Sequence, residues 1–156
     1  MNDEHFLRRA ITLAERAVQD GIGQPFGAVV VRDGRIVGEG CNLVTSTCDP
    51  TAHAEVVALR DACQALATTR LEGCTIYASC EPCAMCLAAI HLAQIERLVF
   101  ACSAEDAAAA GFDSRYLHER LRQAPALPTT RLLADEARAA LARGAARTPP
   151  LAKDQT

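Results

Sequence analysis

Two short runs of residues restrict what this chain can fold into more than any other feature. The first is Thr51-Ala52-His53-Ala54-Glu55-Val56, at the start of a helical pattern. The second is Ser79-Cys80-Glu81-Pro82-Cys83-Ala84-Met85-Cys86, at a strand-to-helix junction. On the first turn of a helix, Cys83 and Cys86 can aim both sulfurs at one centre, and helix N-terminal amides favour thiolate over thiol. His53 is the natural third ligand. Zinc takes thiolate and imidazole ligands in tetrahedral geometry, and three protein ligands leave a fourth position for water, the mark of a catalytic site. The fold must therefore bring two helix starts together. Glu55, two residues from His53, stands beside such an ion without ligating it, where it can take a proton from water and pass it to a leaving group. Backbone N–H groups near Cys83 are expected to help position the water or the intermediate.

Other readings of these residues are possible. A Cys-x-x-Cys pair alone reads as a redox pair or as half of a four-cysteine structural zinc site. The cysteines at 41, 48, 63, 74, 80 and 102 supply no second such pair, and the His-x-Glu run favours the catalytic ion. Cys63, Cys74 and Cys102 sit in apolar patterns and are expected in the core, as is Met85; Cys48 and Cys80 are candidates for the pocket. His5 and His118 are expected to face solvent, and His91 to be a packed or surface residue.

The rest of the chain supplies a frame. Phe6, Leu7, Ala10, Ile11, Ala14, Ala17 and Val18 form one face of a helix over 3–19, with Asp3 as N-cap and Gly21-Ile22-Gly23 as its end. Phe26 to Val31 is a buried-strand run, Asp33-Gly34 a turn, and Arg35 to Gly38 the return strand. Residues 52–67 read as a helix, and Gly73 to Ala78 and Arg97 to Ala101 as buried strands flanking a helix that starts near Pro82. Thr129 to Leu133 is read as a last strand and Ala134 to Ala142 as a last helix. This alternation predicts an α/β fold, a three-layer α/β/α sandwich with a mixed sheet of about five strands. Residues 1–147 are expected to form a single domain, followed by a polar tail at 148–156.

With 156 residues, 50% of them apolar, the chain can bury a core without disulfides. Its net charge is −3, only Lys153 is lysine, and aromatics make up 4%. This disfavours a nucleic-acid binder working through phosphate neutralisation or base stacking. No apolar run is long enough for a membrane span. Met1-Asn2-Asp3-Glu4 carries no leader signal, so the expected compartment is the cytoplasm, with reduced cysteines.

The motifs resemble those of the cytidine deaminase-like zinc hydrolases, and within them the bacterial guanine deaminases and plant guanosine deaminases. The resemblance runs from about residue 3 to residue 115. It rests on Gly23, Pro25, Phe26 and Gly27, on Asn42, on Asp49 to Glu55, on Tyr77 to Cys83 with Cys86, and on Ala110-Gly111-Phe112-Asp113. It implies zinc held by His53, Cys83 and Cys86, proton transfer by Glu55, and substrate contacts at Asn42, Phe26, Ala54 and Asp113. A carboxamide at Asn42 offers a donor and an acceptor side by side, which suits a purine edge. Phe26 either packs on the base face or is a core aromatic. The resemblance further implies a small nucleobase or nucleoside substrate and a homodimer, with an exchanged C-terminal segment in some relatives. Deaminases of cytosine, cytidine, adenine or another aminoheterocycle, and of tRNA adenosine, share the zinc motif. The chain departs from the guanine-type pattern at Ser114, where relatives commonly carry a second acid, and in lacking a terminal aromatic. The acceptor for a substrate amino group is then sought among Asp113, Glu105, Asp106, Asp135 and Glu136.

Overall fold

A computed structural model describes residues 3–123, 128 and 130–145. They fall into two compact units, Met1–Arg122 and Gln123–Thr156. The first unit opens with α1 (Asp3–Gln19), followed by the hairpin β1 (Gly27–Arg32) and β2 (Arg35–Cys41). Asp33 and Gly34, both at positive φ (50° and 73°), close that hairpin, as expected of Asp-Gly. Then come α2 (Val44–Thr47), α3 (Ala54–Ala65), β3 (Cys74–Cys80), α4 (Ala84–Leu92), β4 (Arg97–Cys102), α5 (Ala104–Ala109) and α6 (Tyr116–Arg122).

The four strands form one mixed sheet in the order β2-β1-β3-β4. β1 pairs antiparallel with β2 and β3, while β3 and β4, joined through α4, run parallel. Alternation along β1 divides the core between two faces. Val29 and Val31 meet Phe6 of α1 and Tyr77 of β3 on one face. On the other, Ala28 and Val30 join Ala54, Ala58, Leu59 and Ala62 of α3, with Ile76 and Ile90. The expected three layers are thus present: α1, the sheet, and α3 with α4.

The contact of α3 with β2 depends on two glycines. A Cβ on Gly38 would lie 2.5 Å from Ala58 O, and one on Gly40 would lie 2.3 Å from Ala54 O. Bare backbone on β2 thus lets an alanine-faced helix settle directly on the sheet, which fixes the height of the start of α3. On the opposite layer, the Asp3 carboxylate accepts from Tyr77 Oη at 2.8 Å and from Arg97 Nη2 at 2.7 Å, tying the start of α1 to β3 and β4.

The second unit contributes α7 (Ala134–Ala145), on which Asp135 pairs with Arg138. The helix expected from Ala134 is present. Residues 130–133, expected as strand, carry none; Thr129 and the tail at 148–156 lie outside the described residues. Among the described residues, no helix is long and apolar enough to cross a membrane.

Candidate metal centre and substrate cavity

Two helix starts converge at the candidate site. His53 is the N-cap of α3 (ψ 155°) and Cys83 the N-cap of α4 (ψ 171°), both with extended backbone. Pro82 precedes the cap, so α4 begins two residues later than its position suggested. Cys86 sits one turn into α4. The His53 Nδ1 atom is 3.6 Å from Cys83 Sγ and 3.5 Å from Cys86 Sγ, and the two sulfurs are 3.6 Å apart. Tetrahedral zinc with ordinary bond lengths separates two sulfurs by about 3.8 Å and a nitrogen from a sulfur by about 3.6 Å. The donor set therefore fits zinc in both chemistry and spacing. Among the described residues it is the group of this kind that could hold a metal.

The electrostatics point the same way. Donation from Cys86 and the nearby imidazole draw the Cys83 thiol down to about 4, and the thiolate so favoured pushes Cys86 upward. His53 is raised, chiefly by its contact with Cys83. A trio that stabilises thiolate next to imidazole is suited to a cation, which would relieve the repulsion between two thiolates.

Glu55 lies in the first turn of α3 and is 8% exposed. Burial is the main cause that raises its carboxyl above the ordinary range; the Cys83 charge adds to this, while its own backbone N–H opposes it. A carboxyl poised in this way can both accept and return a proton.

A cavity of about 560 Å³ opens over these groups, with His53, Glu55 and Cys83 in its wall. Phe26 and Asn42 also line it. Phe26 packs against the α3 side of the core, as one of its two expected roles required, and meets Phe112 edge-on at 5.5 Å. Asn42 is 2% exposed. Asp113 lines the cavity but is exposed, and Arg115 grips it through Nε at 2.8 Å and Nη2 at 2.7 Å, holding its carboxyl down to about 2. Ala54 is 1% exposed with its methyl in the core; as the first residue of α3, it offers only its backbone N–H. Among the other acids considered, Asp106 forms a capping box with Ser103 at the start of α5, and Glu105 is exposed beside it. Asp135 and Glu136 lie on α7 in the second unit.

Several expectations change. Met85 lines the cavity instead of filling the core: two positions past the α4 cap, it shares the ligand turn. Cys102 is exposed because β4 is an edge strand, and Cys63 is only half-buried, whereas Cys74 is buried as expected. Cys80 lines the cavity; Cys48 is exposed, at φ 52°. His5, His91 and His118 are exposed. Phe112, Tyr116 and Leu117 form a wall that the sequence marked only through Gly111-Phe112.

Residues 1–102 match the family described as the cytidine and deoxycytidylate deaminase zinc-binding region. The chain is 52% identical over 121 residues to a guanine deaminase of Bacillus subtilis (strain 168), covering 78% of each chain. A crystal structure of guanine deaminase from Bacillus subtilis superimposes with a TM-score of 0.89 at 42% identity, covering 97% of this chain and 99% of that one. A tRNA-specific adenosine deaminase of Aquifex aeolicus is 44% identical over 100 residues, 64% of this chain and 66% of that protein.

Proposed function

Because the chain belongs to the cytidine and deoxycytidylate deaminase zinc-binding family and is a zinc-dependent aminohydrolase, we propose that it hydrolyses guanine to xanthine and ammonia in the cytoplasm. The observation that carries the reading is the triangle of His53, Cys83 and Cys86 beside the buried carboxyl of Glu55. Similarity to the Bacillus enzyme over 78% of the chain supports guanine as the base.

In this reading His53, Cys83 and Cys86 hold the ion and Glu55 moves the proton. Zinc, when bound, supplies the Lewis acidity that brings a water molecule toward deprotonation near neutral pH. Glu55 takes that proton and returns it to the ring nitrogen beside guanine C2. Oxygen adds to C2, the proton left on that oxygen passes to the amino group, the carbon–nitrogen bond breaks to release ammonia and leave the C2 carbonyl of xanthine, and one water is consumed for each ammonia released. Phe26 and Phe112 confine the ring, and the backbone N–H of Ala54 and the amide of Asn42 bind its polar edge. Asp113 is the acceptor proposed for the substrate amino group, reached by loosening its pair with Arg115. The deaminase domain is taken to run through residue 147.

We further propose a homodimer with an exchanged C-terminal segment. Leu87, Leu92 (80% exposed) and Phe100 lie open on α4 and the edge strand β4, in support of a second copy there; sedimentation at micromolar concentration tests it.

The resemblance to tRNA-specific relatives supports a second reading, tRNA adenosine deamination, against which the net charge of −3 weighs. Ammonia release from guanine, guanosine, cytosine, cytidine, adenine and tRNA by zinc-loaded protein separates them. Guanine is expected to lead the panel; faster release from any other substrate would replace the proposal.

A further inference from the structure

Asn42 is held almost wholly by backbone. Its own N–H donates to Phe26 O at 3.0 Å. Its side-chain Oδ1 accepts from Val44 N at 3.3 Å and from Gln24 N at 3.5 Å. Both neighbours are donors, so the amide seats one way round only, with oxygen toward the backbone and nitrogen away from it. Among the described residues Nδ2 has no acceptor. What Asn42 offers to the cavity it lines is therefore a donor.

Gly23 holds the other side of this residue. A Cβ built on it would stand 1.7 Å from Asn42 O, 2.7 Å from Asn42 C and 3.2 Å from Oδ1. The first two are backbone atoms of a residue tied to Phe26, so they cannot swing aside as a side-chain tip would. Gly23 is not in the left-handed region, so the demand for glycine comes from space and not from backbone conformation.

We propose that Gly23 is a positioning residue for substrate recognition: the Gly23–Gln24 turn receives Asn42 against a bare Cα and locks its amide as a donor, so that the cavity favours substrates with a ring nitrogen or carbonyl oxygen at that edge over those with an amino group. The inference rests on the reading of Asn42 as a substrate contact. Gly23 touches no substrate and acts through Asn42.

Steady-state kinetics of the zinc-loaded wild type, Gly23→Ala, Asn42→Ala and the double variant test it. Gly23→Ala is expected to raise KM about 10-fold or more, the cost of a lost or misplaced hydrogen bond, with kcat changed less than about threefold and zinc content intact. Added to Asn42→Ala, it is expected to change KM by less than about twofold, since the group it serves is gone. An unchanged KM in the single variant, or losses that multiply in the double, would overturn the proposal. If Gly23→Ala does not fold, Asn42→Asp decides. The turn still holds one carboxylate oxygen, the other presents an acceptor in place of a donor, and KM should rise about 10-fold or more; an unaltered KM refutes the lock. If the wild type releases no ammonia from any base, the functional reading fails, and a crystal structure of Gly23→Ala with Asn42 in its wild-type place would separately overturn the positioning role.

Discussion

Glu55 lies beside Cys83, His53 and Cys86, and those three would by themselves make an ordinary protein donor set around catalytic zinc. Its carboxylate is then free for proton transfer. Glu55→Gln keeps the shape and removes the titrating group, so the variant should hold stoichiometric zinc while turnover falls by about 10²- to 10⁴-fold. Metal analysis and ammonia release on one sample check this, and near-normal turnover would take Glu55 out of the role. Cys83→Ala should behave differently, losing both metal and turnover, because two ligands hold zinc far less well than three. These four residues were legible in the sequence because each sits at a helix start marked by local signals, His-x-Glu and Pro-Cys-x-x-Cys. Met85 was not: a lone methionine in an apolar helix carries no sign of which side it faces.

At the level of the elements, α3 presents His53 and Glu55 at its start and β2 sets its height. Gly40→Ala would drive a methyl to 2.5 Å from Ala58 N as well as against Ala54 O, so α3 must move. Overpacking of this kind typically costs about 1–3 kcal/mol. Urea unfolding should show such a loss, accompanied by weaker zinc retention because His53 and Glu55 ride on the same helix; a variant as stable as the wild type would contradict the account. The start of α1 gives a pH signature. Bonds from Arg97 and Tyr77 lower the Asp3 carboxyl from 3.8 to about 2. Its stabilising contribution is thus complete above about pH 4 and is lost as pH falls through about 2. The melting-temperature gap between the wild type and Asp3→Asn should be widest above pH 4 and close toward pH 2, and a gap independent of pH would refute it. α1, β1, α3 and β3 could be read from periodicity, since each buries an apolar face. The roles of Gly38 and Gly40 could not, because they depend on which helix lands on which strand. Nor could the exposure of Phe100 and Cys102: an apolar run reads as buried whether its strand is central or at an edge. The strand expected over 129–133 had little to hold it, since only Leu132 and Leu133 there are apolar and sequence could specify no pairing partner.

Across the whole molecule, one ion would join the N-termini of two helices that belong to different segments of the sheet. Removing it should therefore loosen more than the site. With zinc well above its dissociation constant, about 4 kcal/mol of linkage is available, so a strong chelator should lower the melting temperature by about 10 °C, and added zinc should restore it. Calorimetry with and without chelator checks this, and an unmoved transition would deny the ion any part in holding the unit together. The metal ligands and Glu55 are built on first helical turns that the core grips from beneath, whereas Phe112, Asp113, Tyr116 and Leu117 come from the stretch around and after α5. This part of the cavity wall is thereby separate in sequence from the ligand turns, while Phe26 and Asn42 line the cavity from the hairpin side. Anyone wishing to retarget this scaffold can shuffle residues 111–117 combinatorially and leave the reactive machinery untouched.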